Sequence, residues 1–351
     1  MKSVSLYPLL FHARCVERFW GGSFVKKECA RNFPGKEGKV LGESWEIYDR
    51  MEGSSVIENG PLQGYTLHDL VKERSADLLG NDPGYVPDGK TENYFPLIIK
   101  LIDTAQRLSL QVHPSLEHCR ILGQGEEKNE FWYTLRAGKS SYLYAGLKES
   151  ITKAQFREAL EKDCKSVENL LRTYPGRSED SYFIPAGKFH AVGADMTLLE
   201  IQQNSDTTYR ISDWDRVGEN QVRRELHIRE GMVCMEPVDN TEAFIPRQWE
   251  NFSGNRMCCL LDQPGLCHIV NLELNEPFCT DTQTGGGFHL ISVTDHDILV
   301  ETSSCVVLVE ASRTVLIPAS VGEYRVTPLQ GQGKESHAGI LLTTRKKIRL
   351  F

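Results

Sequence analysis

The chain reads as a mainly β protein, two β-rich units with helical insertions, and three features of the sequence say so. Glycine and proline recur about every ten to twenty residues, with short β-branched or alternating apolar runs between them, which is the spacing of strands and turns. Helix-period patterns are confined to two stretches, near residues 66–80 and 150–175. Beyond about residue 236 the chain becomes a nearly helix-free series of alternating strands, the pattern of a small sandwich or barrel. The predicted division is therefore 1–235, with a helical insertion at about 150–175, and 236–351, a smaller β-domain.

In chain order, "TLHDLVKERSADLLG" is an amphipathic helix stopped by Gly80. "PLIIKLIDTAQRLSLQVHP", "EFWYTLRAG" and "SYLYAGL" are strands bounded by turn residues. "ESITKAQFREALEKDCKSVENLLRTYPG" then turns helical. Thr152 with Gln155 makes a capping box, Phe156 and Leu160 share a face, Ser166 looks like a second N-cap, and Pro175-Gly176 stop the pair. "SYFIPAGKFHAVG" and "MTLLEIQQNSDTTYRISDWD" return to strand. The last third carries "CHIVNLELNEPFCTD", "GFHLISVTDHDILVET", "CVVLVEASRTVLIPASVGEYRVTP" and "AGILLTTRKKIRLF" as strands, with "QTGGGF" as a loop.

Composition narrows the classes of function. The chain has 351 residues, 40% hydrophobic and 25% charged, with no run near the 18 or so apolar residues that a membrane-spanning helix needs. At its start, Arg14, Glu17 and Arg18 follow a brief apolar patch without a small-residue cleavage site, so a secretion signal is not expected and a cytoplasmic location is. A net charge of −8 argues against nucleic-acid binding, yet leaves room for a local positive pocket. The ten cysteines are scattered with no C-x-x-C, which points to reduced, mostly buried thiols.

One constellation carries chemistry. Gln111 and His113, in "LSLQVHPS", lie two apart on a strand and so share a face, and Pro114 then stops the strand. Taken alone, such a pair reads as decoration of a solvent-facing edge. Lys128 and Glu130 repeat the two-residue spacing, and "PAGKFHAVG" delivers His190 just after a turn. Two histidines, a glutamate and an amide oxygen form a mixed N/O set suited to a divalent metal such as zinc, with room for water or substrate. Lys100 interrupts the apolar run "LIIKLID", so it either snorkels outward or lines a pocket. His118, His227, His268, His289, His296 and His337 have no ligand-like company, and the C-terminal domain is expected to be metal-free.

"QVHP", "KNEFWY", "PAGKFHAVG" and "LEIQQNSDTTYRISDWDR", with "ERFWGG" and "GESWEIYD" upstream, resemble the type I phosphomannose isomerases in order and separation. The resemblance covers most of residues 8–230. "EIQQNSDTTYR" is its most specific part, and the C-terminal "RTVLIPAS" matches only loosely. It implies a cupin (jelly-roll) catalytic domain and a second, cupin-like β-domain. It further implies one zinc ion per chain, held by Gln111, His113, Glu130 and His190, and interconversion of mannose 6-phosphate and fructose 6-phosphate through an enediol. Arg210 matches the family's active-site arginine, Lys128 a family lysine, Ser109 a serine near the phosphate, and Glu200 an acidic position of the motif. Lys100 would join Lys128 in holding substrate oxygens.

Departures are mild: Asn129 stands where Thr or Pro is usual, and Lys188-Phe189 replace smaller residues. The proton-transfer base stays open among Glu200, Asp206, Lys128 and a water on the metal. The expected partner is a small sugar phosphate, with neither nucleic acid nor membrane, and the chain a monomer or weak homodimer. Two rivals remain: another metal-dependent cupin enzyme, and a non-catalytic sugar-phosphate-binding paralogue. The intact set of ligands and Arg210 speaks against the second.

Overall fold

A computed structural model describes residues 4–27, 38–87, 90–217, 222–235, 241–329 and 337–347. It is mainly β, as the turn spacing predicts. Contacts gather the chain into two compact units, one of residues 1–14, 46–99 and 246–351 and the other of residues 15–45 and 100–245. The grouping differs from a single division at 235/236: it sets residues 1–14 and 46–99 with the C-terminal strands and begins the last segment at 246, while residues 236–240 lie outside those described. The reason is long-range pairing that no local pattern announces. Leu9 exchanges both backbone hydrogen bonds with Leu316 at 2.8 and 3.0 Å. Arg313 reaches the Phe11 carbonyl at 2.9 Å and Glu58 at 2.7 Å.

The unit of residues 15–45 and 100–245 holds the predicted ligands. One five-stranded sheet runs Leu171–Pro175, Tyr142–Leu147, His190–Val192, Leu110–Val112, Tyr209–Ser212. A seven-stranded sheet runs Phe244–Ile245, Ser181–Ile184, Glu130–Ala137, Met196–Gln203, Leu97–Thr104, Leu41–Ile47, Arg14–Glu17. Its central strands are hidden on both faces, which is why they read as near-continuous apolar runs: Leu97–Thr104 is buried along its whole length. Trp132, Leu143, Ile184 and Val192 pack in one apolar cluster, and Val112, Phe156, Phe189 and Ile211 in another.

The helical insertion begins as predicted, with the Thr152–Gln155 capping box opening the helix Lys153–Lys162 and Phe156 fully buried. The second helix is shorter than the sequence suggests, Cys164–Glu168, and its N-cap is Asp163, not Ser166. The Asp163 carboxylate accepts from the Ser166 backbone N–H at 2.7 Å, placing Ser166 inside the first turn. "LRTYP" is then a strand, paired with Tyr142–Leu147. Among the described residues, the helices Leu116–Leu122, Ile228–Cys234 and Thr282–Gly285, the last overlapping the predicted "QTGGGF" loop, went unforeseen. At two turns or fewer they are too short to show a period. His118 has a structural task there, since its ring accepts from the Ser115 N–H at 3.0 Å in a reciprocal cap.

In the other unit, a six-stranded sheet runs Glu250–Phe252, Asn255–Gln263, Cys267–Leu274, Ala338–Thr344, His289–Asp295, Thr314–Ile317. A four-stranded sheet runs Phe278–Asp281, Glu323–Pro328, Ile298–Glu301, Val306–Val309. Val270, Ile291, Ile340 and Leu342 of the first meet Ile298, Val300 and Val326 of the second in one core, the two-layer arrangement expected of the C-terminal strands. The helix Leu67–Leu79 ends at Gly80, as predicted, and is capped by Thr66 with Asp69. Cys15, expected as a thiol, is disulfide-bonded, and Cys29 lies outside the described residues. The other eight cysteines are free, four of them buried. Among the described residues no helix is long and apolar enough to cross a membrane.

Candidate active site

The short strand Leu110–Val112 lies between His190–Val192 and Tyr209–Ser212. Its middle residue, Gln111, stands opposite His190 on one side and Arg210 on the other. Directly paired residues in a sheet share a face, so His190, Gln111 and Arg210 form a row across three strands. His113 follows where Pro114 ends the pairing, and its carbonyl accepts from the Gly187 N–H at 2.9 Å. Glu130 opens a strand of the other sheet, between Ile184 and Gln202.

These placements bring His113, Glu130 and His190 together, fully or almost fully buried, with one donor atom from each within 4.8 Å of the others. Glu130 Oε2 lies 3.2 Å from His113 Nε2, and Oε1 lies 3.3 Å from His190 Nε2. Each ring turns its Nδ1 to a backbone carbonyl: His113 to Thr207 at 2.9 Å, His190 to Lys188 at 2.8 Å. A carbonyl only accepts, so Nδ1 carries the proton and Nε2 presents a bare lone pair.

Burial holds both rings neutral. It brings His113 down to about 3 and lowers His190, in each case against the pull of Glu130. Lone pairs therefore face carboxylate oxygens, and His113 Nε2 and Glu130 Oε1 are buried without a hydrogen-bond donor. A divalent cation would satisfy all of them at once, so the residues fit a metal. Gln111 sets its amide 3.2 Å from His190 Nε2, where a half-turn of the amide would offer its oxygen as a fourth donor.

A cavity of about 550 Å³ adjoins the trio, lined by Lys100, Ser109, Gln111, Lys128, Glu200, Asp206 and Arg210 among others. Lys128 Nζ sits 2.9 Å from Glu130 Oε2. Burial alone would raise Glu130, but the Lys128 ammonium holds it well below the usual carboxylate range. Lys100 does not snorkel outward: it is buried, 4.4 Å over the Trp45 ring and 3.6 Å from Glu200 Oε1. Glu200 Oε2 accepts from Trp132 Nε1 at 3.2 Å, while Oε1 has no hydrogen-bond donor. Burial, then the like charge of Glu130, raise its carboxyl above the ordinary value despite both lysines. Arg210 donates to the Glu225 carbonyl at 2.9 Å and leaves Nε without a partner, while Asp213 bonds Arg216 and Arg224 instead. Trp20 is nine-tenths hidden and belongs to both the cavity wall and the core.

The sequence of a mannose-6-phosphate isomerase of Streptococcus mutans is 32% identical over 264 residues, 73% of this chain and 76% of that one. Mannose-6-phosphate isomerase ManA of Bacillus subtilis is 34% identical over 230 residues, 65% of this chain and 68% of that one. The chain belongs to the phosphomannose isomerase family. A description of the type I phosphomannose isomerase catalytic domain matches residues 9–139. In fold, a mannose 6-phosphate isomerase structure from Bacillus subtilis superposes with a TM-score of 0.81, covering 97% of this chain and all of that one at 23% identity. The β architecture is thus the cupin fold of the phosphomannose isomerases.

Sequence reasoning missed some residues of this phosphomannose isomerase cavity. Glu43, buried in its wall, accepts from Arg18 Nε at 2.6 Å and Trp45 Nε1 at 2.7 Å. Burial would raise its carboxyl, yet Lys100 and Arg18 hold it below the ordinary value. Glu43 and Trp45 lie two apart in the strand Leu41–Ile47, the same signal that exposed Gln111 and His113, but no ligand pattern drew attention to it. Arg224 was also missed. A separate cavity of about 610 Å³ in the other unit, lined by Asp281, Glu301, Glu323 and Arg325, contains none of these residues.

Proposed function

We propose that the chain is a zinc-dependent aldose–ketose isomerase interconverting mannose 6-phosphate and fructose 6-phosphate through an enediol. The observation that carries this reading is the buried His113–Glu130–His190 trio, its lone pairs unsatisfied, opening on a cavity lined with lysine, arginine and carboxylate in a chain of this family. Gln111 would complete the ligand set. When bound there, the metal supplies a Lewis acid that polarises the substrate carbonyl and offsets charge growing on its oxygen.

The side chains account for the rest. Forming the ketose requires a proton to leave C2 and one to arrive at C1, the electron pair moving through the C1–C2 double bond of the enediol. Glu200 Oε1 is free to take the C2 proton, and its burial makes the carboxylate a stronger base. The buried Lys128 and Lys100 ammonium groups hold negative oxygens. Ser109 and Arg210 bind the ester, whose remote binding energy orients the reacting carbons.

A coupled assay converting mannose 6-phosphate to fructose 6-phosphate, run before chelation, after it, and after zinc is restored, tests the proposal. Turnover lost with the metal and regained with zinc is expected. Undiminished turnover in metal-depleted protein would overturn the metal's role, and sugar-phosphate binding without turnover would favour the non-catalytic paralogue.

A further inference from the structure

The cations of the cavity wall are not all held in the same way. Lys128 Nζ stands 2.9 Å from Glu130 Oε2, and Arg18 Nε donates to Glu43 Oε1 at 2.6 Å. Lys100 stands 3.6 Å from Glu200 Oε1, an ion pair too long for a hydrogen bond. Among the described residues no hydrogen bond from its Nζ accompanies that pair. The ammonium is buried all the same, and it lies 4.4 Å over the centre of the Trp45 ring.

Trp45 is itself locked. It is buried, and its Nε1 donates to Glu43 Oε2 at 2.7 Å. With Arg18 on the other oxygen, both arms of the Glu43 carboxylate are taken. Lys100 is also the largest of the charges acting on Glu43. Arg14–Glu17, Leu41–Ile47 and Leu97–Thr104 are consecutive strands at one end of the seven-stranded sheet. Arg18 follows the first, Glu43 and Trp45 share a face of the second, and Lys100 belongs to the third. The contacts therefore run in a chain, Arg18 to Glu43 to Trp45 to Lys100.

Resting on the isomerase reading above, we propose that Trp45 is the positioning residue of Lys100, its indole fixed by Glu43, seating the ammonium on a ring face so that its N–H groups stay available to substrate oxygens. Burying a charge is costly unless something compensates it. A carboxylate at hydrogen-bond distance would compensate, but it would occupy the donors and offset the charge that the substrate is to meet. An aromatic face attracts the cation through its quadrupole and offers no oxygen to compete with the substrate's, and tryptophan does so best. Glu43 then gives the buried indole N–H the acceptor it needs and prevents the ring from turning its edge to Lys100.

Two readouts test the assignment in the full chain. With lysine isotopically labelled at Cε, the Lys100 signal is identified by its loss in Lys100→Met. It should stand upfield of ordinary lysines, shielded by the Trp45 ring beneath it. Trp45→Leu should return it to the ordinary position, and Glu43→Gln should move it part of the way. With mannose 6-phosphate as substrate, Trp45→Leu should lower kcat about tenfold or more with KM changing far less, and Trp45→Phe, which keeps a ring face, should recover most of the loss. In a Lys100→Met background Trp45→Leu should cost little further, since nothing is left to position. If Trp45→Leu fails to fold, the parent signal and its movement in Glu43→Gln decide. A parent Lys100 signal at the ordinary position overturns the proposal, as does a Trp45→Leu loss equally large with and without Lys100. The signal needs no turnover, so a shifted signal in a parent that does not isomerise mannose 6-phosphate overturns the isomerase reading alone.

Discussion

Replacing Glu130 by Gln tests the electrostatics of the trio without any metal present. Lys128 is 4% exposed and its ammonium lies 2.9 Å from Glu130, so the amide would strand a buried positive charge. Removing one partner of a buried ion pair costs about 3–5 kcal/mol. Against that, a Gln amide can donate to the bare Nε2 of His113, recovering about 1 kcal/mol. The expected loss is therefore about 2–4 kcal/mol in chelated protein. Urea unfolding followed by tryptophan fluorescence reads it, because Trp132 lies in the same strand as Glu130 and edge-on to His190 at 5.4 Å. Adding Lys128→Met removes the stranded charge, and the double variant should regain most of the loss, a coupling seen only between groups in contact. Glu130→Gln within about 1 kcal/mol of the parent, with no coupling to Lys128→Met, would refute the reasoning.

Three further predictions address catalysis, pH and the scaffold. Glu200→Gln keeps an acceptor for Trp132 and removes the base, so kcat should fall about 10²–10⁴-fold with zinc content unchanged; nearly full activity would exclude Glu200 as proton carrier. His289, buried and bonded through Nδ1 to the Tyr324 hydroxyl at 2.8 Å, is held by burial down to about 4 against the opposing pull of Asp281. The unfolded chain takes up a proton from about pH 6.5 that the folded chain refuses until about 4, so this contribution is whole above 6.5 and declines as pH falls toward 4. The decline amounts to about 3 kcal/mol, and His289→Gln should flatten the parent's urea midpoints between pH 6.5 and 4.5; parallel curves would count against it. Thr66→Ala removes the cap of Leu67–Leu79 and should cost about 1 kcal/mol in the same denaturant assay, no change meaning that the cap contributes nothing.

What the sequence made legible is what it writes locally. Two-residue spacing put Gln111 with His113 and Lys128 with Glu130, and strand geometry turns that spacing into a shared face wherever the strand ends up. Thr152–Gln155 likewise declares a helix start within four residues. Illegible features depend on partners far away or on competition between near neighbours. No pattern around Leu9 foretells Leu316, so residues 1–14 and 46–99 could not be assigned to the unit of the C-terminal strands. Ser166 reads as an N-cap, but Asp163 takes that place, because Ser166 falls where its own N–H needs an acceptor and the carboxylate supplies one. Lys100 could be resolved only once Trp45 and Glu200 were seen beside it.

The same distinction bears on why the site is built where it is. Charges taken out of water are costly singly and tolerable in pairs, so a buried catalytic cavity must carry its cations and carboxylates together. Lys128 with Glu130, Lys100 with Glu200, and Arg18 with Glu43 obey this. What is left over beside them is not a charge but a pair of acceptors: His113 Nε2 and Glu130 Oε1 are buried with no hydrogen-bond donor. Buried acceptors without a donor cost stability, and a cation bound between the two histidines and the carboxylate would satisfy them where a further apolar residue could not.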